Sequence, residues 1–330
     1  MKIIFLVNDP TEIQPKQTTA MLIASAMKYG FQVGVVGVRD LSCRHDGQPW
    51  AQVRFLKPLA TTHAQDRREQ LVNLVQAIAT THPSPLPLTN TDRLFIRTNP
   101  ARDTKHATAH DVALALARLC EANGVQVINR PDGLIRAATK LYLLEFPDFT
   151  RPRSLVSHNR DEIRSFLYDL KAPAVLKPLQ GTRGNDVFFV RSIQDKNLNQ
   201  IIDVILRQGM VMAQACIPGA ELGDTRVVVF KGKALEINGL IAAIERDPAQ
   251  GDFRSNLHTG GTAHPAVITD EMRKVIDTIG PKLMRDGLAL TGLDFIGSQL
   301  LEINVFSTGG LWNAEEFSGE DFSDYVIQHL

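Results

Sequence analysis

Thr291-Gly292-Leu293-Asp294-Phe295-Ile296-Gly297, followed shortly by Leu301-Glu302-Ile303-Asn304-Val305, is the stretch on which the reading of this chain turns. Two apolar, strand-like runs carry an aspartate, a glutamate and an asparagine. A three-residue hairpin loop at Gly297-Ser298-Gln299 would set Ile296 opposite Leu300 and Asp294 opposite Glu302. Cross-strand partners share a face, and Asn304, two residues on, shares it too. One face then gathers three oxygen side chains. Leu293, Phe295, Leu301, Ile303 and Val305 point into apolar packing. Two neighbouring carboxylates taken out of water imply a cation or a proton. Mg²⁺ suits such a set, because it is usually held by one or two carboxylates together with substrate phosphates. The plain alternative is a pair of edge-strand acids in water.

The chain has 330 residues, 44% hydrophobic and 22% charged, with 36 basic and 36 acidic side chains. That composition supports two or three packed subdomains. A formal net charge of zero favours neither nucleic acid nor an anionic membrane surface. Mixed-sign clusters such as Asp66-Arg67-Arg68-Glu69 read as solvated helix faces. Cys43, Cys120 and Cys216 are far apart and lack metal spacing, which suits a reducing, cytoplasmic setting. A catalytic thiol has no activating pattern beside it. The apolar start, Ile3 to Val7, stops at Asn8-Asp9-Pro10 and reads as a buried strand rather than a signal peptide. No apolar run approaches the ~18 residues of a membrane span.

Strand 3–7, a helix from Thr18 to Tyr29 ended by Gly30, and a Val-rich strand from Phe31 to Val38 imply a parallel sheet. A helix over 65–81, a Pro-rich loop over 82–87, a strand over 93–97, a helix over 106–123 and a strand over 125–129 continue the pattern. Residues 1–122 are therefore expected to form an open α/β domain. Its functional edge lies at the carboxyl ends of the strands, at Asn8-Asp9-Pro10 and Arg97-Thr98-Asn99. Residues 123–330 are expected to form a second, α+β domain, with subdomains 123–210 and 211–330. It opens with an Ala-rich helix carrying Lys140. A strand Ala174 to Leu179 follows, then a glycine loop 180–186 and a strand 187–190. Beyond these come a strand 211–214, a hairpin around Lys231-Gly232-Lys233 and a helix 270–285.

Lys177 lies mid-strand in an apolar run, so its ammonium either snorkels to water or faces an anion. Lys140 reads equally well as an exposed helix lysine. Gly181 and Gly184 would let backbone N–H groups approach phosphate oxygens, though most glycine loops are only turns. No Gly-Lys-Ser/Thr or helix follows, which rules out a Walker loop. Arg226 and Arg254 carry no assignment from the residues alone. Trp312 could wall a pocket or pack in the core.

In order, the chain shows Lys140, then Leu176-Lys177-Pro178-Leu179 with Gly181 and Gly184, then Met212-Ala213-Gln214 and Gly223-Asp224-Thr225-Arg226. After these come Arg254-Ser255-Asn256 with Gly260-Gly261, and Gly292-Leu293-Asp294 with Glu302-Ile303-Asn304-Val305. This series resembles the ATP-grasp superfamily. Asp9-Pro10, Lys16-Gln17-Thr18-Thr19-Ala20-Met21, Arg97-Thr98-Asn99-Pro100 and Asn129-Arg130-Pro131 resemble its bacterial glutathione synthetase branch. The resemblance covers nearly the whole chain.

It implies an ATP-grasp fold behind an open parallel-sheet domain, and an ATP- and Mg²⁺-dependent ligase. Such an enzyme joins a small-molecule carboxylate to an amine through an acyl phosphate, with γ-glutamylcysteine and glycine as the branch's pair. It further implies that Lys140, Lys177, Gly181, Thr182 and Gly184 meet the ATP phosphates. Gln214, Ala215 and Cys216 would meet adenine, and Asp294, Glu302 and Asn304 would hold Mg²⁺. Arg226, Arg254 and Asn256 would assist catalysis. Asp9, Thr18, Thr19, Arg97, Asn99, Arg246, Ser307, Thr308, Gly309 and Gly310 would meet substrates. Loops near 181–185 and 246–258 would close over them, and the family's habit implies a homo-oligomer.

The chain departs from the branch at three places. Ser307-Thr308-Gly309-Gly310 stands where Ser-Pro-Thr is usual, Arg183-Gly184 where Gly-Gly is usual, and Gln17 at an acidic position. Another peptide or amino-acid pair therefore remains open as the substrate set. A non-catalytic nucleotide-binding protein is the third reading, against which the intact Lys, Arg and metal positions argue.

Overall fold

The computed structural model describes residues 1–57, 66–181, 185–248 and 261–330. Lys2–Val7 is the middle of the first sheet, parallel to Gln32–Gly37 on one side and to Asp92–Ile96 on the other. Gln126–Ile128 extends the sheet in parallel beyond Asp92–Ile96. Helices on both faces bury all but the first residues of the two central strands, which is why these read as apolar runs. The strand exits are joined side by side: the Asn8 amide donates to the Asn99 carbonyl (3.1 Å), and the Asn99 N–H donates back to Asn8 Oδ1 (2.7 Å).

In the first half of the chain, four elements depart from the sequence expectation. Leu41–Cys43 and Pro49–Phe55 form an antiparallel margin that the residue pattern did not suggest. The segment expected as a loop over 82–87 contains a strand, Ser84–Pro87, paired with Pro49–Phe55. Pro85 and Pro87 lack N–H donors and can serve only an outer strand, where they also block further pairing. Lys140 is not on the Ala-rich helix, which ends early as Pro131–Arg136; it begins a separate 3-10 turn, Lys140–Glu145.

The second sheet is a four-stranded antiparallel unit in the order Phe188–Val190, Ala174–Pro178, Val211–Ala215, Ser154–Ser157. Its backing helices, Arg160–Leu170 and Leu198–Leu206, place Ile163, Leu167, Ile202 and Ile205 in an apolar cluster of its own. The third sheet runs Thr262–Pro265, Ala243–Asp247, Asp224–Phe230, Leu290–Ile296, Gln299–Asn304. The hairpin expected around Lys231-Gly232-Lys233 is shorter than expected, Asp224–Phe230 with Lys233–Ala234, and Glu236–Ile237 turns away to pair with Leu240–Ile241. Helix Asp270–Arg285 packs on this sheet. It is capped by Thr269 Oγ1 on the Met272 N–H, with Asp270 and Glu271 at its start and Lys282 and Arg285 at its end.

The third sheet shares apolar clusters with the first. Phe5 and Ile23 belong to the same cluster as Val228, Leu290, Leu311 and Phe322. The terminal helices Leu311–Ser318 and Phe322–Gln328 return the chain to helix Thr18–Lys28. Asp324 there accepts hydrogen bonds from Ser25 Oγ (2.6 Å) and Lys28 Nζ (2.5 Å).

A single buried amide joins the two sheets at the critical hairpin. Asn129 Nδ2 donates to the carbonyls of Leu290 and Val305, both at 2.8 Å, and its Oδ1 accepts from the Leu290 N–H at 2.9 Å. It thus grips the hairpin just as it begins and just after it ends. Asn129→Leu keeps the volume and leaves these buried backbone groups unpaired. It is expected to lower stability by about 3 kcal/mol, read from urea unfolding. A loss below about 1 kcal/mol would show that the clamp is not needed.

Candidate active site

The hairpin of Leu290–Ile296 and Gln299–Asn304 sets Asp294 opposite Glu302, as the spacing predicts, but by a different route. The link is tighter, with Ile296 opposite Gln299, and an irregularity between Asp294 and Phe295 restores the register. Leu301 is the extra residue at that bulge. It lines the cavity instead of the core, where Leu300 is buried in its place.

The neighbouring strands complete the face. Arg226 is the direct partner of Asp294, and Asp224, two residues earlier on the same face, is the partner of Arg246. The Arg226 guanidinium grips Asp294 with both Nε and Nη2, the latter at 2.8 Å. Arg246 pairs with both Asp224 oxygens at 2.6 Å and reaches Asp294 Oδ2 at 3.2 Å. Asn304 Nδ2 lies 3.1 Å from Asp294 Oδ2. Burial alone would raise the Asp294 pKa, but the two guanidiniums win and hold the carboxyl well below its usual range. For Arg246, burial works against the charge, and Asp294 and Asp224 outweigh it and raise its pKa.

The second sheet supplies the facing wall. Lys177 is buried, and Gln214 sits diagonally across the ladder on its face, accepting from Lys177 Nζ at 2.9 Å. Gln214 also donates to Ser154 Oγ (3.2 Å), so its side chain bridges Lys177 and Ser154 where it lines the cavity. Lys140 is drawn to the same place: its N–H donates to the Leu179 carbonyl (3.0 Å) and its Nζ to the Gly181 carbonyl (3.3 Å). Lys140 Nζ is also 4.0 Å from Glu302 Oε1. Burial pushes the Lys177 ammonium down to about 8; Lys140 adds to that, while Glu302 and Asp294 oppose it.

These groups line one cavity of about 530 Å³, together with Ala215, Cys216 and the segment Ser307 to Gly310. Thr18 and Asn99 from the first sheet's edge line it too. Asp9, Thr19 and Arg97 are not in the lining. Asp9 accepts from the Thr11 N–H (2.8 Å) and Oγ1 (2.7 Å). Arg97 is buried behind the wall, donating to the carbonyls of Thr308 (2.7 Å) and Phe306 (3.4 Å) and to Thr19 Oγ1 (3.3 Å). Burial pushes its guanidinium down to about 9, still charged at neutral pH. Arg97 and Thr19 thus lie behind the lining, where they shape the 306–308 turn. Close packing continues at Gly292, where a Cβ would lie 2.1 Å from Thr308 Oγ1. Thr182, Gly184, Arg254 and Asn256 lie outside the described residues. Trp312 is not in the lining either; it packs beside the apolar cluster below.

Sequence reasoning missed Lys16, Arg102, Asp224 and Leu301 in the lining. Asp224 had a usable signal, since it is two residues from Arg226 and must share its face. Lys16 lies in an irregular link and Arg102 at the end of the short 3-10 turn Pro100–Arg102, where no long periodicity reports direction. Among the described residues the lining carries six Lys or Arg and three Asp or Glu, so the cavity favours a ligand of net negative charge.

No group of three or more His, Cys, Asp or Glu suited to a metal occurs among the described residues. Two carboxylates and an amide oxygen on one face still fit Mg²⁺, which takes its remaining ligands from phosphates and water.

Buried Lys177 and partly buried Lys140 face two carboxylates across a cleft between antiparallel sheets, the arrangement of an ATP-grasp ligase. Similar folds include D-cycloserine synthetase DcsG (TM-score 0.64, 14% identity, 99% of both chains). Another is the ATP-grasp ligase PsnB complexed with a precursor variant, Mg and ADP (TM-score 0.59, 15% identity, 99% and 97% of the two chains). The model of the prokaryotic glutathione synthetase ATP-grasp domain matches residues 139–319, and that of the N-terminal domain matches residues 1–135. Glutathione synthetase of Synechococcus elongatus is 33% identical over 100% of this chain and 98% of its own. That of Shewanella oneidensis is 33% identical over 92% and 89%. The chain belongs to the prokaryotic glutathione synthetase family, and it is an ATP- and Mg²⁺-dependent ligase. No described helix is long and apolar enough to cross a membrane.

The two acids differ in what their loss does to the free protein. Asp294→Asn leaves Arg226 uncompensated in a buried site and is expected to cost about 3 kcal/mol of stability without nucleotide. Glu302 is only partly buried, so Glu302→Gln is expected to fold within about 1 kcal/mol of the parent while Mg²⁺-dependent ADP formation falls at least about 100-fold. Urea unfolding and an ADP assay check both; full turnover by Glu302→Gln would overturn the metal assignment.

Proposed function

We propose that this ligase joins γ-glutamylcysteine to glycine, and that the residues of the cavity divide the work as follows. The observation that carries the residue roles is the convergence of Lys140 and Lys177 on one side, and Asp294, Glu302 and Asn304 on the other, around a cavity with excess positive charge. Lys140 and Lys177 neutralise the ATP phosphates, with Gln214 fixing the direction of Lys177. The backbone of Ala215 and Cys216 meets the adenine edge. Asp294, Glu302 and Asn304 would hold Mg²⁺, which supplies charge neutralisation on the phosphates when bound.

The terminal carboxylate of the first substrate attacks the γ-phosphorus, ADP departs, and an acyl phosphate forms. The amine of the second substrate attacks the acyl carbon, phosphate leaves, and the nitrogen loses a proton as the amide forms. Arg226 faces the charge on the acyl phosphate, and Asp224 and Arg246 keep its neighbour Asp294 in register. The carbonyls fixed by Arg97 set the 307–310 segment against the substrates. By family resemblance Thr182, Gly184, Arg254 and Asn256 complete the cover. Positioning and electrostatics supply most of the acceleration in such phosphoryl transfers. The setting is cytoplasmic, as the cysteine usage suggests.

A second reading keeps the chemistry and changes the pair. It is favoured by the 307–310 segment, Ser-Thr-Gly-Gly, which lines the cavity and departs from the family's usual residues. ADP release with γ-glutamylcysteine plus glycine, against a panel of other carboxylates and amines, decides between them. Stimulation by the first pair above all others is expected; stimulation only by another pair would replace it.

The lysine pair predicts a pH effect. In the free enzyme the Lys177 pKa is pushed down to about 8, and nucleotide phosphates beside it would raise it. Nucleotide affinity is therefore complete below about pH 8 and falls as pH rises through that value. Lys140→Met removes the neighbouring charge and should move the break to higher pH. KM for ATP measured from about pH 6.5 to 10 checks this; a break moving downward in the variant would contradict the coupling.

A further inference from the structure

Lys140 heads the 3-10 turn Lys140–Glu145, which packs on the hairpin strand Gln299–Asn304. A 3-10 turn of this length is held poorly by its own hydrogen bonds, so contacts outside it must fix its place. Tyr142, two residues after Lys140, supplies one. Its ring is buried in an apolar cluster with Leu143, Phe146, Leu283 and Leu300, edge-on to Phe146 with 5.1 Å between ring centres. Its hydroxyl donates to Asp286 Oδ2 at 2.6 Å. Burial and then Asp286 raise the Tyr142 pKa, so the hydroxyl keeps its proton and stays a donor.

Asp286 caps the end of helix Asp270–Arg285, and shortly afterwards the chain enters the strand Leu290–Ile296 that carries Asp294. Two cations close the network around it. Lys282 Nζ lies 2.8 Å from both Asp286 Oδ2 and Glu145 Oε2, and 5.2 Å from the centre of the Tyr142 ring. Arg136 Nη2 lies 2.6 Å from Glu145 Oε2, and its Nε lies 3.8 Å from Asp286 Oδ2. The backbones meet as well. The Arg130 N–H donates to the Gly287 carbonyl at 2.9 Å, and a Cβ on Gly133 would lie 1.9 Å from the Asp286 carbonyl oxygen. Arg136, Tyr142, Glu145, Lys282 and Asp286 all lie outside the lining of the cavity.

We propose that Tyr142 is a positioning residue for Lys140: its bond to Asp286 ties the lysine's turn to the helix end that leads into the acidic hairpin, and so sets the lysine opposite Glu302. The inference rests on the reading above, in which Lys140 neutralises ATP phosphates. The ammonium's own contacts are long, 3.3 Å to the Gly181 carbonyl and 4.0 Å to Glu302 Oε1. A strong N–H···O bond is about 2.9 Å, so the backbone of the turn has to aim this side chain. A displacement of about 1 Å is enough to matter for a charge that must meet a phosphate. Phenylalanine at 142 would fill the same space and drop the tie.

The test is a double-variant cycle on the full chain, read as kcat/KM for ATP with the carboxylate–amine pair that releases most ADP. Lys140→Met should lower it about 100-fold. Given that loss, Tyr142→Phe alone should lower it about 10-fold, mainly through KM, and the double variant should stay within about 2-fold of Lys140→Met. A tyrosine that only stabilised the fold would cost the same in both backgrounds. A Tyr142→Phe loss below about 2-fold, or a further full 10-fold loss in the double variant, would overturn the proposal.

Full activity in Lys140→Met would instead remove the phosphate role of Lys140, and the positioning is then read without turnover. Acetic anhydride acylates lysines according to their access and mobility, and mass spectrometry follows Lys140 against exposed Lys171. Lys140 of the free enzyme should react about 5-fold faster in Tyr142→Phe than in the parent. Equal rates would overturn the tie.

Discussion

Asp294 is held between two arginines on one sheet face, and the active cavity is organised about that contact. The carboxylate sits on Leu290–Ile296, Arg226 on the strand beside it and Arg246 on the strand beyond, so one ion cluster ties three adjacent strands. Burying these charges is costly unless each has a partner, and Asp224 supplies the second anion that Arg246 needs. The cluster is thus nearly neutral before ligand arrives. What remains on the facing side are Lys177 of the second sheet and Lys140 beside it.

The cavity is assembled from three sheets by a few polar contacts that act over long sequence distances. Asn129 grips both ends of the acidic hairpin. Arg97 donates to backbone carbonyls of the 306–308 turn, and so fixes the wall that follows the hairpin. The terminal helices pack on helix Thr18–Lys28, which also points its first turn at the cavity. The second sheet has an apolar cluster of its own, while Met212 on its other face joins the main core with Phe295 and Leu300. Lys140 and Gly181 are its link to the acidic face.

Several residues expected at nucleotide or substrate also hold the site's own parts in place. Arg97 and Thr19 shape a turn, Gln214 holds Lys177, and Arg246 balances Asp294. Their types were informative, because a buried polar residue in an apolar run must have a partner. The partner's identity was not, since it lay up to hundreds of residues away. Asp9 shows the converse: an acid at a strand exit, in the right place by topology, yet satisfied locally by Thr11.

The residue pattern alone determined the α/β start, the Asp270–Arg285 helix, the Asp294–Glu302 pairing and the presence of an unusual lysine in a strand. All of these rest on short-range rules: the period of side chains along a strand or helix, hairpin pairing, and the cost of an unpaired charge. Tertiary structure decided the rest. It turned the Pro-rich 84–87 segment into an outer strand, put Lys140 on its own turn beside Leu179, and moved Leu301 from core to cavity through a bulge. It also brought Lys16 to Trp312 across almost the whole chain. Hydrogen-bond pairing of irregular links and the direction of a side chain in them follow from which surfaces meet in the folded state, and no local period encodes that.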